Sequence, residues 1–122
     1  MKRIIATLLL CLLFINNVSA HYTQTCKIKY RLSNGYWSKY YRVDVKFMTG
    51  SELNIQLGGP TFSIFDKFAC IFWADNKITI IKLSTTIIGE LDHDSINNRL
   101  TKLEGVDEEN RFWEICPSGT CF

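Results

Sequence analysis

Residues 25–47 alternate apolar and polar side chains on either side of Asn34-Gly35, and no other feature of the chain constrains its fold as tightly. Cys26, Ile28, Tyr30 and Leu32 share one side of the first run, and Lys27, Lys29 and Arg31 share the other. Asn-Gly accepts the positive φ of a two-residue type I′ turn, so the pair predicts a β-hairpin. That loop length sets Leu32 opposite Trp37, Tyr30 opposite Lys39, Ile28 opposite Tyr41 and Cys26 opposite Val43. Trp37 and Tyr41 then join Val43 and Val45 on the core side. Tyr36 and Tyr40 fall on the outer side, beside Lys29, Arg31, Arg42 and Lys46. A slip of one residue would invert one strand's faces.

The rest of the chain reads as further short elements. Thr49 or Ser51 caps a short helix through Glu52, Leu53 and Gln56, which Gly58-Gly59-Pro60 ends. A second hairpin covers residues 68–83 and turns at Asp75-Asn76. It sets Trp73 beside Ile78, Ile71 beside Ile80, Cys70 beside Ile81 and Phe68 beside Leu83. Both of its faces are apolar, which suits a central or doubly covered position. Phe62, Ile64 and Phe65 extend its first strand backwards. Ile96, Leu100 and Leu103 have helical spacing after an Asp94 cap, yet residues 100–106 and 111–116 also form a hairpin around the acidic loop 107–110. The hairpin is the favoured reading, because Phe112, Trp113 and Ile115 are strong strand formers. One register sets Leu103 beside Trp113 and Lys102 beside Glu114. The expected fold is mostly β: a small antiparallel sandwich or partly open barrel of about six strands with one short helix, α+β being the alternative.

Residues 1–20 read as a signal peptide. Lys2 and Arg3 precede an apolar run over residues 4–15 that is too short to span a bilayer, and Val18 and Ala20 are small residues where a signal peptidase cuts. Cleavage leaves residues 21–122 as a single domain, secreted or periplasmic, with no second hydrophobic span. Its four cysteines, Cys26, Cys70, Cys116 and Cys121, predict two disulfides. The turn-rich Pro117-Ser118-Gly119-Thr120 favours Cys116 with Cys121, leaving Cys26 with Cys70; the other connectivities stay open. Without Lys2 and Arg3 the 14 basic residues become 12, matching the 12 acidic ones. A chain with zero net charge is a poor nucleic-acid binder.

Chemistry is sparse. No serine lies in a Gly-x-Ser-x-Gly elbow, oxidised cysteines lack a thiolate, and Gly58-Gly59-Pro60 lacks the strand–loop–helix context of a phosphate loop. The expectation is a non-enzymatic, exported binding module without a cofactor, its partner a protein or an anionic glycan. The candidate contacts are Tyr36, Tyr40, Lys29, Arg31 and Arg42, since tyrosine rings stack on sugars while cations engage carboxylate or sulfate. An alternative is copper binding: His21, made N-terminal by cleavage, would chelate through its amine and imidazole, and His93 would add a second imidazole. Another alternative is a structural subunit of a surface or envelope assembly, using the apolar hairpin at residues 68–83.

Overall fold

The computed structural model describes residues 22–97, 102–118 and 121; the signal-peptide segment, its cleavage point and His21 lie outside them. Six antiparallel strands follow one another around a closed barrel. They are β1 (Tyr22–Tyr30), β2 (Tyr41–Thr49), β3 (Lys67–Phe72), β4 (Ile78–Leu83), β5 (Leu103–Asp107) and β6 (Phe112–Cys116). Helix α1 (Gly50–Leu57) joins β2 to β3, and the short α2 (His93–Asn97) lies between β4 and β5. The mostly β expectation is met, and the sheet closes because β1 pairs with β6 as well as with β2.

Strand alternation divides the apolar residues into two layers. Ile28, Val45, Ile71, Ile81, Leu103 and Ile115 point inward and are fully buried. Burial of each such side chain contributes about 1.5–3 kcal/mol relative to exposure. Met48, Phe68, Cys70 and Ile80 point outward and are covered by Leu53 of α1, with Phe62 packed alongside. The hairpin at residues 68–83 is therefore covered on both faces for much of its length, while Phe72 and Ile78 stay half exposed. The apolar surface imagined for assembly is thus smaller than expected. Phe62, Ile64 and Phe65 do not extend β3; they lie in a loop that ends at Asp66.

Helix α1 starts as the sequence predicts. The Thr49 hydroxyl accepts the Glu52 amide at 3.2 Å, and the Glu52 carboxylate accepts the Thr49 amide at 3.1 Å. This reciprocal capping box satisfies two amide donors that would otherwise lack partners. At the other end Gly58 takes a left-handed conformation, φ 80°, and bonds back to Asn54. Helix α2 is capped by Asp92 and not by Asp94. The Asp92 carboxylate accepts the Ser95 amide at 2.9 Å, which holds the Asp92 carboxyl below its ordinary value.

All three hairpins use one turn, neither the two-residue turn the sequence suggests for the first two nor the four-residue loop it suggests for the third. Leu32 with Tyr36, Trp73 with Lys77 and Asp107 with Arg111 each close a three-residue loop. The last loop residue is left-handed every time: Gly35 at φ 88°, Asn76 at φ 66° and Asn110 at φ 64°. This is a type I turn followed by a bulge residue, a common three-residue solution. In the second hairpin the extra loop residue moves the register by one. Cys70 faces Ile80, and Ile71 faces Thr79. In the third hairpin Leu103 faces Ile115 and Glu104 faces Glu114, a shift of two residues that leaves every side chain on its expected face.

Cys116 and Cys121 form the expected disulfide, their Cα atoms 5.6 Å apart. The second bridge is not formed: Cys26 and Cys70 are both free and buried. Cys26 faces the barrel interior and Cys70 lies under α1, on opposite sides of the wall. Strand β2 also stands between them, and two strand spacings come to about 9.5 Å, beyond the roughly 7 Å that a disulfide tolerates.

Candidate binding face

The outward side of β1 carries Lys27, Lys29 and Arg31, two residues apart and so about 6.7 Å from one to the next. The returning chain brings aromatic rings to them through a bulge. Arg31 pairs with Trp37 and Ile28 with Tyr41, so two residues of β1 oppose three, Ser38, Lys39 and Tyr40. The Ser38 hydroxyl fills the irregularity. It accepts the Tyr30 amide at 3.0 Å and donates to the Lys39 carbonyl at 2.9 Å.

The bulge corrects one sequence assignment. Trp37 belongs to the outer face and not to the core, because the three-residue loop shifts the hairpin tip by one position and inverts its faces. Lys29 Nζ lies 4.7 Å from the Trp37 ring centroid and 5.7 Å from that of Tyr40. Lys27 Nζ is 4.5 Å from the Tyr40 ring. Arg31 stacks over Trp37 at 4.9 Å and reaches Phe112 of β6 at 5.9 Å. Cations and rings thus interleave along the strand, each contact adding about 0.5–1 kcal/mol at an exposed position.

Glu114 of β6 anchors the middle of this array. Although it points outward, it is 5% exposed, with Lys29 at 3.3 Å and Lys102 at 2.7 Å. The hydrogen bond to Glu114 raises the Lys102 ammonium above its ordinary value. Lys29 sits in register with Glu114, so β1–β6 closure is itself a charge pairing.

Of the five expected contacts, Lys29, Arg31 and Tyr40 come together in the array. Arg42 is exposed on β2 directly opposite Lys27, and Tyr36 projects from the hairpin tip, 73% exposed. Trp37, Phe112, Glu114 and Lys102 complete the face and were not foreseen. Phe112 and Glu114 enter only through strand closure, for which no local signal exists.

Arg31 and Phe112 continue into a cleft of about 580 Å³ between the first and last hairpins, where Tyr30, Ser33 and Arg111 also contribute. Arg111 lies over the Tyr30 ring at 5.0 Å and is bonded to Glu109 at 2.6 Å. A groove of similar size, about 590 Å³, lies on the outer side of β3 to β5, where Asp66 and Lys82 pair at 3.4 Å. Asp107 and Glu108 leave its lining with an excess of negative charge, and its rings belong to the outer apolar layer. It lacks the alternating pattern of the β1 face.

His93 opens α2 and is exposed, with its ring edge-on to that of Tyr22 at 6.3 Å. No group of three or more His, Cys, Asp or Glu among the described residues is placed to hold a metal ion. Likewise, among the described residues no helix is long and apolar enough to cross a membrane. Compared with known families, curated proteins and solved structures, the chain matches none.

Proposed function

We propose that this chain is an exported, non-enzymatic binding module that holds an anionic glycan or an anionic protein partner against the outward face of β1. The observation that carries this reading is the interleaving of Lys27, Lys29 and Arg31 with the Tyr40, Trp37 and Phe112 rings. Such an array is pre-organised. The rings restrict the long cationic side chains, so less conformational entropy is lost when a ligand arrives. Tyr40 is half exposed and Tyr36 nearly bare, which leaves ring surface available for stacking. The export half draws on the signal-peptide reading of residues 1–20, and a Cys116–Cys121 bridge suits an oxidising compartment.

Replacing Tyr36 and Tyr40 together by alanine is the direct test. Two aromatic contacts worth about 0.5–1.5 kcal/mol each correspond to roughly tenfold or more in affinity. Losing the Tyr40 ring also removes its contacts with Lys27 and Lys29, about 0.5–1 kcal/mol each. The expected result is weakened capture on an immobilised sulfated glycan by a chain that still unfolds cooperatively, with its midpoint only modestly lowered. Reduced stability with intact capture rejects the proposal.

A second reading, copper binding, draws on the Tyr22–His93 ring contact, which brings His93 beside the residue that follows His21. An N-terminal His21 amine and imidazole would then chelate the ion, with His93 completing the set. Copper affinity should collapse when one residue is added before His21. Affinity that survives the extension removes this reading.

A further inference from the structure

We propose that the chain associates with itself head to tail: the hairpin tip between β1 and β2 of one copy seats in the acidic groove over β3 to β5 of the next. The proposal rests on the face reading above and names the protein partner of that side of the barrel, a second copy of this chain.

Barrel topology keeps the two surfaces apart. In the closed order, β1 has β2 and β6 as neighbours, whereas β4 has β3 and β5. The two strands therefore stand on opposite sides of the wall. The tip is also tied to its own side, because the Arg31 amide donates to the Phe112 carbonyl of β6 at 2.9 Å. A copy cannot fill its own groove, but a neighbour can.

The tip has the chemistry of an anchor. Residues 25–43 contain five cations and no acidic residue. Tyr36 projects from the end of the hairpin, with exposed Arg31 and Lys39 nearby. Arg31 lies over the Trp37 ring and Lys39 over the Tyr41 ring at 5.4 Å, contacts that direct the two charges without cancelling them. Among the described residues no ion pair involves either of them. The loop is held in shape as well: the Leu32 amide donates to the Tyr36 carbonyl at 2.7 Å, and the Asn34 side chain accepts the Tyr36 amide at 3.0 Å. A tip ordered beforehand loses little entropy on docking. Tyrosine and arginine are also the residue types that most often dominate protein–protein binding energy.

The groove is the complement. Its volume is about 590 Å³, and buried Phe68, Ile80 and Leu83 form its floor. The Phe62 ring stands edge-on to Phe68 at 5.3 Å and makes one wall. Asp66 and Lys82 answer one another, and the Asp107 carboxylate is held by the Arg111 amide and the Trp113 indole, each at 2.8 Å. Glu108 is different: it is exposed at the rim and enters no ion pair among the described residues. Its charge helps to raise the Cys70 thiol, which places the carboxylate close to the outer apolar layer. An apolar floor beneath an acidic rim suits an aromatic ring flanked by cations. Tyrosine meets both requirements of such a site, since its ring is apolar and its hydroxyl is polar.

The contact joins two different patches, so it is heterologous, and every open oligomer ends in one unused tip and one unused groove. One hairpin tip in one groove belongs to the small class of interfaces, below about 1,200 Å², which makes the association weak and dependent on concentration.

Sedimentation velocity of the full chain over a wide range of protein concentration tests this. The average mass should rise with concentration at low salt and return to that of the monomer at high salt. Arg31→Ala combined with Tyr36→Ala, and separately Glu108→Lys, should each weaken association about tenfold or more. Mixed in equal amounts, these two variants should form a heterodimer that grows no further, because one supplies the tip and the other the groove. A monomer at every concentration overturns the proposal and leaves the face reading to its glycan test. Association retained by the Arg31 and Tyr36 variant overturns the tip, and association retained by Glu108→Lys overturns the groove. Two variants that stay monomeric when mixed overturn the head-to-tail geometry. Association that high salt leaves unchanged overturns the charge pairing. Glu108→Lys should also capture the immobilised sulfated glycan no less than the unmodified chain. Association without glycan capture by the unmodified chain removes the glycan form of the face reading while this proposal stands, so the two fail separately.

Discussion

Gly50→Ala should destabilise the barrel severely even though it places the best helix former in the first turn of a helix. An alanine there would ordinarily gain about 0.5–1 kcal/mol over glycine. Here the added Cβ would lie 1.8 Å from the Ser63 carbonyl oxygen and 2.6 Å from its carbon, both backbone atoms that cannot rotate away. Loop 61–66 would have to leave α1. That displacement threatens the Gly50 amide bond to the Asp66 carbonyl at 2.9 Å. It also strains the two bonds of about 2.8 Å between the Asn54 side chain and the Phe62 backbone. Phe62 would then uncover the outer apolar layer over Phe68. Overpacking costs about 1–3 kcal/mol, and a clash with fixed backbone atoms belongs at the upper end of that range, which outweighs the helix gain. With a urea m-value of about 1–3 kcal/mol/M, the unfolding midpoint should fall by roughly 1 M or more. A midpoint equal to that of the unmodified chain would mean that the loop yields without cost.

How far the sequence alone could reach is clearest at the hairpins. Alternation identified the inner face of β1, since Cys26 and Ile28 are buried where the pattern placed them. The turn positions were legible as well, because Gly35, Asn76 and Asn110 are residue types that tolerate positive φ. The loop length was not. A two-residue and a three-residue turn both accept Asn-Gly, and they differ by one residue in register. At the first tip that difference moved Trp37 from core to surface. In the second hairpin it moved the partner of Cys70 from Ile81 to Ile80, and the pairing fixes Cys70 in the outer layer, away from Cys26 inside the barrel.

The candidate face was half legible for a related reason. Lys29, Arg31 and Tyr40 could be grouped from one hairpin, because their neighbourhood is local in sequence. Glu114, Phe112 and Lys102 arrive only when β1 closes on β6, a contact across more than 80 residues with no periodic signature. Opposite charge across that seam, Lys29 against Glu114, is the one clue the sequence held, and charge complementarity alone cannot choose among eight acidic residues in the last third of the chain.

Raising the pH from 9 to 12 should unfold the protein, and the two free thiols should be the main cause. Burial pushes the Cys26 thiol up to about 12, with the Asp44 carboxylate acting in the same direction. Burial likewise pushes Cys70 up to about 12, aided by Glu108 and opposed by Lys46. Below pH 9 both thiols are protonated in the folded and unfolded chains, so they leave stability unaffected. Above pH 9 the unfolded chain loses protons that the native one keeps, and stability falls until the native thiols also ionise near 12. Each thiol then costs about 1.4 kcal/mol per pH unit. Over three units the pair approaches about 8 kcal/mol, comparable with the whole stability of a small domain. Tyrosines and lysines titrate in the same range, so the informative quantity is the difference between the unmodified chain and its Cys26→Ala and Cys70→Ala variants. Each substitution should remove about half of the thiol contribution to the slope. At pH 8 a disulfide reagent should label neither thiol in the folded chain and both in denaturant. Prompt labelling of the native protein would show that the thiols are open to solvent. An absence of labelling in denaturant would show that Cys26 and Cys70 are bonded after all, and with that the barrel register that separates them would be wrong.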